Sequence, residues 1–409
     1  MAKVFALGAY LYQAVLAFGL LILIARILPA SDYATYSLFI ATSQFAAIAF
    51  FEWVRFACSR FYPGRTALSE ATQRQTIVIE GALCALACLI LGAATVVFGL
   101  SADLALIGAA VAVMQGLSDL HLTMLRFRGR FHDFSWMQGM RASLQAVMTV
   151  AGALAMRTVL GAILGLLAAY VLYVAIVLLL ERRRRFTRGH WRADIARQHL
   201  SYGTVAAGAS VLGLLAPLGL RYILISAFGP QAIAGALLAV DLLQKPFVLI
   251  ISALHAVQYP ELVAAFDRKS ETGLAAHLGQ YYGLVLTLSL VLAAAILAVL
   301  LPVASLALKP ELQVQFVQTA PLLVGVFLIR SLTQNLSTTP AHLRLDLGQL
   351  LFLAAADVVG LNFFALAASH LPQATSLMIV VGAAIGTALA ALPGVRILLF
   401  CPSNCHGAR

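Results

Sequence analysis

The chain has 409 residues, 62% of them hydrophobic and 11% charged, with a mean hydropathy of +0.95. Soluble domains carry about 25% charged and about 45–50% apolar residues, and even a large one cannot hide this much apolar surface from water. The composition excludes a soluble protein, so the formal net charge of +11 is read against a membrane, with no nucleic acid partner.

A helix that crosses a bilayer needs roughly 20 apolar residues rising about 1.5 Å each. In chain order such stretches fall near 4–27, 36–57, 75–99, 103–125, 134–156, 158–180, 201–227, 231–256, 277–301, 313–335, 347–369 and 375–399. Runs such as 85–97 do not alternate between apolar and polar residues as barrel strands do. The segments between spans alternate in charge. With Met1 inside, the cytoplasmic segments hold Arg60, Arg65, Arg74, Arg126, Arg128, Arg130, Arg182–Arg185, Arg268, Lys269 and Arg344, while Arg26, Arg157 and Lys309 fall on the other side. Basic residues favour the cytoplasmic face, so both termini are expected there. The expected fold class is an all-α integral membrane protein with about twelve transmembrane helices in two six-helix bundles.

The longest polar stretch, Glu181–His199, divides residues 1–180 from residues 200–400, leaving 181–199 as a basic cytoplasmic linker and 401–409 as a cytoplasmic tail. A weak repeat supports two bundles. The hairpin Ile22–Phe39 has a counterpart in Tyr222–Ala239, with Pro29 and Pro230 at matching places, and Tyr62-Pro63 matches Tyr259-Pro260. Such six-plus-six repeats are common in transporters, which carry substrate between the lobes. The Arg182–Arg185 run is a topology signal and a contact for anionic membrane lipids. Residues 28–32 make a poor leader-cleavage site, so the first span is expected to stay in the mature chain. Cys401, Cys405 and His406 lack a fourth ligand, and no metal or other cofactor is expected.

Ionisable residues within spans are costly and ordinarily face a partner or a cavity. Glu52 and Arg55 lie three apart on one helix face. Asp241 precedes Lys245 by four residues, the favourable order for a helical ion pair. Arg330 and Asp357 have no partner on their own helices and are placed to pair with each other. Arg141 lies roughly 12 Å into its helix, which points to a water-filled cavity. Arg221 and Arg26, near helix ends, are expected to snorkel, and Glu80 and Asp119 to be interfacial. Basic residues outnumber acids within the spans, which favours an anionic substrate. The loops on the outer side are too short to house a catalytic domain, and no GxSxG, HExxH or GxxxxGK[ST] motif is present, so no enzyme is expected.

The hairpin sequence ARILPASDYATYSLF, the basic step Leu125–Phe131 and the Tyr-Pro-Glu segment at 259–261 resemble Wzx-type polysaccharide flippases of the multidrug/oligosaccharidyl-lipid/polysaccharide exporter (MOP) superfamily. Pro29 and Ala34 stand where that family commonly has glycine. The resemblance implies a pair of six-helix bundles in the bacterial inner membrane that moves an undecaprenyl-diphosphate-linked oligosaccharide by alternating access, with a polysaccharide polymerase as a partner. It makes Arg55, Arg141, Lys245 and Arg330 candidates to hold the anionic substrate, and Glu52, Asp241 and Asp357 candidates for coupling or charge balance. The alternatives are a cation-coupled multidrug exporter of the same superfamily and a membrane enzyme of glycan assembly.

Overall fold

A backbone in lipid has no water to bond, so long apolar runs satisfy their own N–H and C=O groups by folding as helix. The computed structural model describes residues 2–62, 66–97, 101–182, 189–267, 271–344 and 346–400, and among them there is no strand. The first helices are α1 (Ala2–Ile27), α2 (Ala30–Phe61), α3 (Ala67–Val97), α4 (Ala102–Phe127), α5 (Phe131–Met156), α6 (Val159–Arg182) and α7 (Ala193–Phe228). A 3-10 turn over Gln231–Ile233 leads into α8 (Ala234–Asp267). Then come α9 (Glu271–Ala307), α10 (Pro310–Leu336), the short α11 (Thr338–Arg344), α12 (Leu347–Ser369) and α13 (Ser376–Phe400).

Eleven of these helices are long and apolar enough to cross a membrane. The remaining long one is α5, whose Gln138, Arg141 and Gln145 lower its hydropathy near the middle. The expected spans coincide with the long helices, and the helices overrun them. α9 has 37 residues where a span is expected over 277–301, because hydropathy marks the lipid-facing part and the hydrogen-bonded ladder continues beyond it.

The turns are built from local chemistry. Gly129 (φ 70°) and Gly229 (φ 76°) take the left-handed backbone that follows a helix end. Pro310 opens α10, where a missing N–H costs nothing. Asp32, in the first turn of α2, accepts the Val159 N–H at 3.0 Å and so caps α6 from a neighbouring helix. Asp346 caps α12 through the Gln349 N–H at 3.0 Å.

The chain forms two compact units, Met1–Val211 and Leu212–Arg409, and the division falls inside α7. In unit 1, α4 packs on α2 and α3, and α5 packs on α1 and α6. Phe51, Val54, Ile77 and Leu120 form a buried core among α2, α3 and α4. Between lipid-bathed helices there is little hydrophobic gain, so close packing and polar bonds carry the association. The seam between α5 and α6 shows this: a Cβ at Gly152 would run into the Gly161 carbonyl oxygen, and one at Gly165 into that of Met148. In unit 2, α10 packs against α8, α9 and α13, and α12 lies along α13. There a Cβ at Gly360 or Gly386 would strike the other's carbonyl.

The start of α7 belongs to unit 1 and is pinned there by His199. This residue is fully buried, with Nδ1 3.0 Å from Glu80 Oε2, Nε2 2.8 Å from Gln73 Oε1 and its ring stacked on Phe61. Glu80 is therefore a buried structural partner, contrary to its expected interfacial place. Linker residues 183–188, which include most of the Arg182–Arg185 run, and the tail with Cys401, Cys405 and His406 lie outside the described residues.

Candidate functional site

Among the described residues, each unit carries a buried cluster of charged side chains built across several helices. In unit 2 the cluster forms around Pro217, which lies inside α7. Proline has no N–H for the carbonyl four residues back, so the Gly213 oxygen loses its helical donor. The guanidinium of Arg330, reaching from α10, takes that place: its Nη2 donates to Gly213 O at 3.0 Å. The same guanidinium holds Asp357 of α12, with Nε at 3.1 and 3.0 Å from the two carboxylate oxygens and Nη2 at 2.7 Å from Oδ2. Gln334 adds a fourth bond to the Asp357 carboxylate, reaching Oδ2 at 3.2 Å. One arginine thus ties α7, α10 and α12 together at the proline.

One turn further along α7, Arg221 does the parallel task for α8. Its Nη1 donates to Pro217 O at 2.9 Å, and its Nη2 to Asp241 Oδ1 at 2.7 Å. Arg221, Asp241, Arg330 and Asp357 are all buried. Breaking such a pair from one side leaves a desolvated charge, so the arrangement is strongly held once formed.

In unit 1 the cluster joins α2, α4 and α5. Arg141 donates to Asp119 Oδ1 at 2.5 Å, to Ser118 Oγ at 2.9 Å and to Gln138 Oε1 at 3.2 Å. Gln138 in turn bonds Gln13 of α1. On α2, Arg55 donates to the buried Glu52 at 2.8 Å, while 39% of the Arg55 side chain remains exposed. These two pairs lie within electrostatic reach of each other. Farther along, where the sequence charges place the cytoplasm, Glu70 accepts from Tyr62, Arg74 and Arg128 and joins α3 to the ends of α2 and α4. Burial, reinforced by the bond to Glu70, holds the Tyr62 phenol above its ordinary range.

The candidate residues fall out as follows. Glu52 and Arg55 form the expected local pair, and Arg330 and Asp357 the expected cross-helix pair. Asp241 and Lys245 are not the self-contained pair that their spacing suggests. Asp241 is held by Arg221, whose two Nη groups reach the carboxylate and the Pro217 carbonyl together. Arg221 is accordingly buried and paired, where snorkelling is expected from its position. Lys245, half-buried on α8, lies within the electrostatic reach of both Asp241 and Arg221. Arg141 is likewise paired, and its partner is the Asp119 expected at the interface. With Asp119 and Arg221 counted inside, Arg141, Arg221 and Arg330 are each matched by a carboxylate. Sequence reasoning places Asp119 at the interface and passes over Gln334 and the Gly213 carbonyl. The signal for the last was Pro217 itself, four residues downstream.

No protein-family model and no curated protein sequence matches the chain. Solved structures do. An inward-facing multidrug resistance MATE family transporter of the MOP superfamily superposes with a TM-score of 0.78 at 15% identity, covering 99% of this chain and 100% of that one. The chain has the MATE transporter fold. An outward-facing multidrug resistance MATE family transporter matches at TM-score 0.66 and 16% identity, over 98% of this chain and 94% of that one. A MOP superfamily transporter from Pyrococcus furiosus, described by a reversed polarity of its binding pocket, matches at TM-score 0.66 and 14% identity, over 100% and 96%. At these identities the likeness concerns the fold.

Proposed function

We propose that this chain is a transporter of the MOP type that exports amphiphilic organic compounds across the bacterial inner membrane by alternating access, the multidrug-exporter reading. The observation that carries it is the fold shared over 99% and 98% of the chain with multidrug transporters seen facing inward and outward. Charge pairing agrees. With Arg141, Arg221 and Arg330 each engaged by a carboxylate, these buried guanidinium groups are not free for the anion that a lipid-linked glycan reading draws on. The test is dye movement in proteoliposomes under an imposed proton or sodium gradient. Gradient-driven transport of an amphiphilic dye such as ethidium supports the reading; its absence, with transport of lipid-linked oligosaccharide instead, would overturn it.

A second reading is favoured by one observation, the half-buried basic residue Lys245 within α8. In it the chain flips an undecaprenyl-diphosphate-linked oligosaccharide beside a polysaccharide polymerase, as the Ile22–Phe39 hairpin suggests. A leaflet-specific assay of a labelled lipid-linked oligosaccharide in the same vesicles separates the two.

A further inference from the structure

We infer that His199 and Glu80 form a proton-operated latch: together they hold one dissociable proton, and its loss releases the first turns of α7 from unit 1. What singles them out is the side chain that stands at the joint. The close pairs that tie one helix to another deeper in the spans are built on arginine: Arg141 with Asp119, Arg221 with Asp241 and Arg330 with Asp357. A guanidinium keeps its charge at any pH a cell reaches, so those joints are permanent. At the start of α7 the same task falls to an imidazole, the side chain that changes charge near neutrality. Both His199 and Glu80 are buried. The two other histidine–carboxylate contacts among the described residues, His121–Glu181 and His132–Asp133, lie at 4.0 Å and leave their partners partly or fully exposed.

Both ring nitrogens of His199 face oxygen. Nδ1 lies 3.2 and 3.0 Å from the two Glu80 oxygens, and Nε2 lies 2.8 Å from Gln73 Oε1. An acceptor on each side is matched by an N–H on each, and a ring with both is the imidazolium. When the proton leaves, a lone pair is set against the Gln73 oxygen, and the bond to Glu80 loses its charge assistance. Phe61, the last residue of α2, stacks on the ring at 5.5 Å and meets Tyr202 edge-on at 5.6 Å. With no exposed surface, the ring exchanges its proton with water only when the contact opens, so proton loss and release are one linked event. The docked state binds one proton more than the released state, and docking therefore weakens as the pH rises. The surrounding groups keep their charge in that range. Cys58 of α2 and Cys84 of α3 lie within electrostatic reach of Glu80, and Arg126 and Arg128 at the end of α4 within that of Cys58. On α7 itself, Asp194 and Arg197 are exposed. Thiols stay neutral, and arginine and aspartate stay charged, through the span in which histidine titrates. α7 runs on into unit 2, so this proton sets how firmly unit 1 holds a helix whose second part belongs to unit 2.

Two measurements on the full chain in nanodiscs test this. The first follows isotope-labelled histidine ring nitrogens by NMR from about pH 6 to about pH 9, the range around neutrality in which histidine titrates, with His199→Gln identifying the signal. Two protonated ring nitrogens are expected at the acid end and one at the alkaline end. The second is hydrogen exchange over residues 195–202, corrected for the intrinsic rate at each pH. Exchange there should rise about tenfold or more across the range in wild type. It should change less than about threefold in His199→Gln, which keeps a donor to Glu80 but has no titrating ring. Gln73→Leu, which removes the acceptor at Nε2, should move both transitions to lower pH together. Should His199→Gln fail to run as a single species in size-exclusion chromatography, Gln73→Leu and the wild-type titration carry the comparison. A ring with the same number of protons throughout overturns the inference, whether Gln73 turns its amide to donate or the imidazolium never lets go. Exchange over 195–202 that ignores pH while the ring titrates overturns it as well. Neither measurement uses a transported compound, so a failure of dye transport in proteoliposomes would sink the transport reading and leave the latch standing.

Discussion

Arg330 and Asp357 give the most quantitative test of how unit 2 is held. Replacing Arg330 with leucine removes three contacts to Asp357, at 3.1, 3.0 and 2.7 Å, and the bond to Gly213 O at 3.0 Å. A buried pair broken from one side costs about 3–5 kcal/mol, and an orphaned carbonyl adds about 1–3 kcal/mol. The abandoned carboxylate takes up a proton to relieve part of this, so the low end, about 3 kcal/mol, is the expectation. For a body of about 200 residues each kcal/mol moves the melting temperature by about 2–4 °C. Arg330→Leu and Asp357→Leu should therefore each lower the melting point of the detergent-solubilised protein by roughly 6–12 °C. The double leucine variant removes both charges together and should recover most of that loss, since an apolar replacement of a buried pair is close to neutral. A thermal-shift double-mutant cycle reads the coupling, expected to reach about 2 kcal/mol or more. Single variants within about 2 °C of wild type, or a double variant whose loss equals the sum of the two, would refute the view that this guanidinium holds α7, α10 and α12 together.

Three further outcomes follow from the same geometry. Pro217→Ala returns an N–H to the Gly213 carbonyl, so Arg330→Leu should cost about 1 kcal/mol less in that background than in wild type, measured by the same melting experiment. His199→Leu leaves Glu80 buried without its partner and should lower stability by about 2–4 kcal/mol, whereas His199→Gln, which can still donate to Glu80, should recover part of it; equal losses would argue against the hydrogen bond. Gly152→Val places a branched side chain against the Gly161 carbonyl, and overpacking of about 1–3 kcal/mol or more should appear as reduced yield of monodisperse protein, while Gly8→Val, where a Cβ meets nothing within 4 Å, should leave yield unchanged.

The sequence discloses some of this and hides the rest for identifiable reasons. Hydropathy located α12 over Leu347–Ser369 to the residue, because the lipid boundary and the helix ends coincide there. It missed the ends of α7 and α9, where the helices continue past their apolar part. Arg330 and Asp357 were legible as partners because neither has a counter-charge on its own helix. Asp241 and Lys245 misled for the opposite reason: an i, i+4 acid and base look self-sufficient, and only packing shows that a guanidinium from α7 outcompetes the lysine. Asp119 and Glu80 were assigned to the interface from their distance to a helix end, a measure that says nothing about which neighbour covers them. Depth along one helix is readable from a sequence, and the neighbour across the groove is not.

The glycine seams of α5 with α6 and of α12 with α13 bear on where motion is allowed. Backbones that touch through missing side chains have a single register. A slide by one residue would bring a Cβ against a carbonyl, so these hairpins act as welds and not as bearings. Any cycle that changes the shape of either unit has to find its compliance elsewhere. The proline positions offer it: at Pro217, Pro302, Pro321 and Pro393 the ladder inside a long helix lacks a rung. A protein so divided into rigid pairs and interrupted single helices concentrates its deformation at a few carbonyls, and a guanidinium already sits on one of them.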